Sequence, residues 1–89
     1  MRGAGTMRVM VSDRRGFIDI EYSSGQAVSA RLTILDPFGR PLRSFDCTRQ
    51  GRVVWDCTAS GNRTVPNGVY FCRLAAGPTV RVLPFVLSR

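Results

Sequence analysis

The chain has 89 residues, of which 44% are hydrophobic, and its formal net charge at pH 7 is +7. This length suits one domain, expected to span residues 1–89, and the hydrophobic fraction argues against disorder. No apolar run approaches the ~20 residues that a membrane-spanning helix needs. We therefore expect one folded domain without a membrane span.

The first six residues are Met-Arg-Gly-Ala-Gly-Thr, which lead into no apolar core of the kind found in signal peptides. We expect residues 1–6 to be disordered. If the domain is secreted, the export signal is expected on a longer precursor.

Alternation of apolar and polar residues with a period of two dominates the chain and predicts strands rather than helices. In the second predicted strand, for example, Ile18, Ile20 and Tyr22 share one face, and Asp19 and Glu21 share the other. Seven strands are predicted, over residues 7–11, 17–22, 28–34, 41–46, 52–56, 69–74 and 79–87. Seven short strands separated by turn signals favour a sandwich of two antiparallel sheets over a closed barrel.

Glycine and proline indicate how the turns and the last strand are built. Gly39, Gly68 and Gly77 follow or open predicted strands, where a positive φ is expected. Pro84 lies inside the last predicted strand, which implies an edge position or a bulge because proline has no N–H to donate.

The predicted core is made of the inward apolar positions of these strands. Trp55 is the only tryptophan, and in a core it would bury on the order of 200 Å². The alternative for Trp55 is an exposed platform on which a sugar ring stacks. The full set of predicted core residues is Ile18, Ile20, Leu32, Ile34, Trp55, Tyr70 and Leu74.

All thirteen basic residues are arginine, and Arg14 and Arg15 are the only adjacent pair. Such scattered charge lacks the basic block or aromatic-basic motif of a specific nucleic-acid binder. It predicts a solvated positive surface with weak, salt-sensitive affinity for polyanions.

Three cysteines, Cys47, Cys57 and Cys72, cannot all pair within one chain. The chain has no histidine and no C-x-x-C spacing, so we predict no zinc site. Small buried thiols are expected, and Cys72 shares a strand face with Tyr70 and Leu74. If one disulfide forms, the strands that flank the long loop favour Cys57–Cys72.

Residues that could carry chemistry are sparse. The loop that begins at Asp56 alternates oxygen-bearing side chains, but it has one acid where a calcium loop has several. Without histidine or lysine the usual general bases are missing, and the six acids are dispersed. We predict no catalytic, cofactor-binding or metal-binding residue, and no enzyme activity.

Three segments carry a family resemblance. They are Asp-Pro-Phe-Gly-Arg at 36–40, Val-Val-Trp-Asp at 53–56 and Pro-Asn-Gly-Val-Tyr-Phe at 66–71. From about Gly16 to its end, the chain resembles the immunoglobulin-like module at the C-terminus of many secreted bacterial proteins. Relatives of that module are the C-terminal sorting domains of type IX (Por) secretion and the immunoglobulin-like domain of the flagellar hook-capping protein. The resemblance implies an immunoglobulin-like sandwich of about seven antiparallel strands, with Trp55 in the core.

The resemblance also implies a non-catalytic role at the cell surface or in the medium. The domain would act in secretion or sorting, or as an accessory module, recognised by secretion machinery or by neighbouring domains of a precursor. The alternatives are a structural assembly domain of the hook-cap kind and a weak polyanion- or glycan-binding module. Exposed edge backbone in residues 79–88 is expected to pair with a partner strand. The sequence does not indicate an oligomeric state.

Overall fold

A computed structural model describes residues 7–14, 16–25 and 29–88. The expectations for residues 1–6 and for Val28 fall outside these ranges. Helical geometry in the described residues is limited to one 3-10 turn, Ser60–Asn62. The strands are β1 (Met7–Arg14), β2 (Phe17–Ser24), β3 (Ala30–Leu35), β4 (Pro41–Cys47), β5 (Gln50–Trp55), β6 (Thr58–Ala59), β7 (Arg63–Thr64), β8 (Gly68–Ala76) and β9 (Thr79–Leu87).

The seven long strands form two antiparallel sheets. One sheet has the order β1-β2-β5 and the other has the order β4-β3-β8-β9. The sheets face each other, with β1 against β9 and β2 against β8. This arrangement of three and four strands is an immunoglobulin-like β-sandwich, as the sequence predicts.

The core lies between the sheets, where the period-2 patterns place their apolar residues. In β2, Ile18 and Ile20 are fully buried, and they pair in register with Trp55 and Val53 of β5. In the opposite sheet Leu32 pairs with Leu74. All seven core residues predicted from the sequence are buried.

Trp55 occupies the centre of an aromatic cluster. Its side chain is 0% exposed, and its ring meets the rings of Tyr70 and Phe85 edge-on, with centroid distances of 5.8 and 6.2 Å. The indole N–H donates to the carbonyl oxygen of Thr58 at 2.9 Å, so burial leaves no polar atom of Trp55 unpaired. The alternative of an exposed sugar-stacking platform is wrong.

The loop between β5 and β8 contains structure that the sequence did not predict. Here β6 and β7 form a small antiparallel hairpin in which Thr58 pairs with Thr64. Gly61 and Asn62 both have positive φ values, 79° and 61°, which lets the chain reverse within three residues. Strands of two residues are too short to show alternation of apolar and polar residues, so the sequence predicts a loop at this place.

The predicted turn geometry is confirmed. The φ values of Gly39, Gly68 and Gly77 are 85°, 155° and 61°. Gly77 and Pro78 make a two-residue turn between β8 and β9. A type II′ turn needs a positive φ at its first central residue, which here is Gly77. Proline cannot adopt a positive φ and occupies the second central position. Pro84 lies in β9, which is an edge strand, as expected.

Candidate interaction surfaces

The sequence predicts no catalytic or ligand-binding residue. Within residues 7–14, 16–25 and 29–88, no group of three or more His, Cys, Asp or Glu side chains could hold a metal ion. No helix in the same ranges is long and apolar enough to cross a bilayer.

The three cysteines are buried thiols outside any disulfide. The conditional Cys57–Cys72 disulfide is not formed, and the expectation of small buried thiols is confirmed. Burial raises the pKa of the Cys72 thiol to about 12, and the nearby Cys47 adds to this shift. A thiol with such a pKa is a packing group rather than a nucleophile at neutral pH.

The outer face of β8 and β9 carries an apolar strip. Val69, Val80, Val82 and Val86 are between 46% and 62% exposed, and they lie on this face together with Pro84. Val69 stands opposite Val86 in the register, so the strip spans both strands at this pair, whereas Val82 stands opposite the exposed Arg73 of β8. We call these five residues the valine strip.

The outer face of the other sheet is built differently. Asp19 of β2 lies on it, and its side chain is only 5% exposed because two arginines cover it. Arg52 Nε donates to Asp19 Oδ1 at 2.8 Å, and Arg14 Nε lies 3.7 Å from Oδ2. Such a covered ion pair is satisfied within the domain, and Met10 and Val54 are the large apolar side chains exposed on the same face.

The valine strip lies beside open backbone. β9 has nine residues and ends its sheet, so within the described part of the chain it pairs with β8 alone. An edge strand presents unpaired N–H and C=O groups that another strand can pair with. The edge that the sequence predicted for residues 79–88 is therefore present, with apolar side chains next to it.

A second surface feature lies at one end of the sandwich and begins with the turn between β3 and β4. The Asp36 carboxylate accepts hydrogen bonds at 2.9 Å from the backbone N–H groups of Phe38 and Arg40 and from the Arg40 side chain. The bond from the Arg40 backbone, aided by the guanidinium, lowers the pKa of Asp36 below its usual value. The turn is thus held in one shape, with Phe38 at its tip.

The loop that leads into β8 faces this turn. The hydroxyl of Tyr70 donates to the carbonyl oxygen of Pro66 at 2.5 Å, an arrangement known in immunoglobulin-like sandwiches as a tyrosine corner. Between the two loops lies a groove of about 380 Å³, lined also by Leu42 and Arg63. We call it the loop groove.

The Asp36 interactions should make stability depend on pH. A folded-state pKa below the ordinary value means that Asp36 stabilises the fold above about pH 4, and that this contribution is lost as pH falls through the folded pKa. Thermal unfolding followed by circular dichroism from pH 6 to pH 2 measures this effect. We expect Asp36→Asn to melt at a lower temperature than the wild type, and the gap between the two melting temperatures to narrow below pH 4. Asp46→Asn, which removes an exposed carboxylate paired with Arg31, should show a much smaller gap. A gap for Asp36→Asn that is constant with pH would contradict this explanation.

Comparison with known proteins shows a likeness of fold. No protein-family model matches the chain, and no curated protein matches it either. Among solved structures, a match with a TM-score of 0.70 and 20% sequence identity covers 91% of this chain. That structure is PorZ, described as an essential bacterial surface component of the type IX secretion system of Porphyromonas gingivalis. The chain shares its fold with a part of PorZ. It spans 11% of the PorZ chain, so the likeness concerns a domain-sized portion of that larger protein.

Sequence reasoning located one of the two surfaces. It singled out β9 as an edge, but it did not find the valine strip, because apolar residues occupy both faces of β9. The loop groove was also missed, since Phe38 and Arg63 come from loops 25 positions apart. The one signal in the sequence was Phe38 itself, a large apolar residue at the tip of a polar turn.

Proposed function

We propose that this chain is a non-catalytic immunoglobulin-like module that acts by being recognised after folding, in secretion or sorting by a type IX system, and that it works at the bacterial cell surface. The observation that carries the proposal is the valine strip beside the open edge of β9. Two further observations support the proposal. The chain shares its fold with a part of PorZ, and sorting domains resemble it in residues 36–40, 53–56 and 66–71.

Recognition through β9 combines two kinds of contact. A partner strand added to the edge would pair with backbone N–H and C=O groups, which gives affinity without a particular side-chain sequence. The partner would also cover the valine strip, and at ~25 cal/mol per Å² the burial of these half-exposed side chains favours binding. Pro84 interrupts the donor pattern of the edge and so limits which registers a partner strand can adopt.

Export of a reporter tests the proposal. The module is fused to a periplasmic reporter in a host with a type IX system, and the surface fraction is measured by protease accessibility on intact cells. We expect the wild-type module to bring the reporter to the surface, and deletion of residues 79–89 to abolish this movement.

Because that deletion also removes part of the core, a milder pair of variants keeps the test independent of folding. Val82→Glu places a charge in the valine strip, whereas Thr48→Glu places the same charge at an exposed position between β4 and β5, outside the strip. We expect at least a several-fold loss of surface reporter for Val82→Glu and none for Thr48→Glu. Equal effects of the two variants would overturn the role of the strip. A folded wild-type module that leaves the reporter in the periplasm would instead favour a structural spacer between neighbouring domains.

A further inference from the structure

The loop groove has one wall that is unusual for a surface turn. Phe38 is 84% exposed at the tip of the turn between β3 and β4, and the Arg40 guanidinium lies 5.7 Å from its ring centroid. Three hydrogen bonds join Asp36 and Arg40: the Arg40 N–H and Nε donate to the Asp36 carboxylate, and the Asp36 N–H donates to the Arg40 carbonyl. The N–H of Phe38 also donates to the carboxylate, so the backbone of the turn is fixed with the ring at its tip. Leu42 and Val65 supply further apolar surface inside the groove.

Arg63 is the cation of the groove for which the described residues supply no acidic partner. The carboxylate of Asp36 is saturated by hydrogen bonds and paired with Arg40 at 2.9 Å. Arg63 of β7 lines the same groove, is exposed, and has no acidic partner among the described residues. The groove therefore has an exposed aromatic face, apolar side walls and the Arg63 guanidinium, whose charge is not balanced by any acidic residue that the structure describes. Its volume of about 380 Å³ lies at the lower end of the range for ligand sites.

We propose that the loop groove binds an acidic peptide segment in which an apolar side chain is next to a carboxylate. The apolar side chain packs against Phe38 and Leu42, and the carboxylate pairs with Arg63. An arginine fork matches a carboxylate with two parallel hydrogen bonds, and the net charge of +7 attracts acidic segments to the domain. A peptide is favoured over an acidic polysaccharide because a sugar chain with charges at every unit would leave the apolar walls unmatched.

This inference goes beyond recognition through β9, because it uses different side chains and a different class of contact. A module recognised only through the valine strip has no need of an exposed phenylalanine beside an unpaired arginine. The two proposals can therefore fail separately: Arg63→Gln tests the groove, and Val82→Glu tests the strip.

Binding of a defined peptide tests the groove. The probe is the blocked peptide Asp-Phe-Glu-Leu-Asp, titrated by calorimetry and mapped by NMR chemical shifts on the domain. The matched control variant is Arg81→Gln, which removes the same charge from an exposed position on β9. We expect Arg63→Gln and Phe38→Ser each to weaken binding about tenfold, and Arg81→Gln to change it less than twofold. The peptide with Asn and Gln in place of its acids should bind at least tenfold more weakly.

Three outcomes would overturn the proposal. The first is equal weakening by Arg63→Gln and Arg81→Gln, which indicates general attraction to a positive surface. The second is chemical-shift changes confined to the valine strip. The third is binding of heparin without detectable binding of the peptide, which indicates a polysaccharide ligand. Both arginine variants change exposed residues, and a native NMR spectrum of each confirms that folding is unaffected.

Discussion

Replacement of Trp55 by alanine is expected to lower the free energy of unfolding by ~3–5 kcal/mol. The indole is fully buried between the sheets and touches rings from both β8 and β9. Its removal leaves a cavity that the surrounding strands cannot fill, and it also leaves the Thr58 carbonyl without its indole donor. For a domain of this size, such a loss is a large share of the total stability.

Urea unfolding followed by far-ultraviolet circular dichroism measures this effect without relying on tryptophan fluorescence. The neighbouring variant Val54→Ala is the control, since Val54 lies on the same strand with its side chain half exposed. We expect its effect to stay within ~0.5 kcal/mol. A loss below ~1 kcal/mol for Trp55→Ala would show that the aromatic cluster does not organise the core.

Tyr70→Phe is expected to cost ~1–2 kcal/mol, because it removes one hydroxyl while it keeps the ring. That hydroxyl donates to the Pro66 carbonyl and ties the loop after β7 to the start of β8. The ring contacts with Trp55 and Phe85 remain, so the loss measures the hydrogen bond of the tyrosine corner. The same denaturation experiment gives the value.

The chain contains a matched control for this change. Tyr22 is also buried, but its hydroxyl has no hydrogen-bond partner among the described residues. Tyr22→Phe removes the same atom without breaking a hydrogen bond to any described residue, and we expect a change of less than ~0.5 kcal/mol. Similar losses for both variants would mean that the corner adds nothing to stability beyond the loss of a buried oxygen.

The fold could be predicted from the sequence because its main signals are local. Alternation in β2 placed Ile18 and Ile20 inside, and the glycines at 39, 68 and 77 marked backbone geometry that other residues adopt only at a cost. Pro84 marked an edge because a central strand cannot accommodate its missing N–H. Each of these inferences depends on a few neighbouring residues.

The interaction surfaces could not be predicted, because they depend on residues that are distant in sequence. The alternation placed Asp19 on the face opposite Ile18 and Ile20, but it could not show that Arg14 and Arg52 arrive from two neighbouring strands and bury it there. In β9 the even positions Val80, Val82, Pro84 and Val86 are apolar, and so are Leu83, Phe85 and Leu87. The sequence therefore predicts either face of β9 as the buried one. Only the position of β8 and of the facing sheet decides which face is covered.

The burial of the Cys72 thiol determines when it can react. With a pKa of about 12, roughly one Cys72 side chain in ten thousand is ionised at pH 8, and only the ionised form attacks a disulfide or an oxidant. Once the domain is folded, Cys72 therefore forms crosslinks far more slowly in an oxidising compartment than an exposed cysteine does. Its oxidation is fastest before the sheets close, so the folding rate relative to the thiol exchange rate decides how much of it occurs.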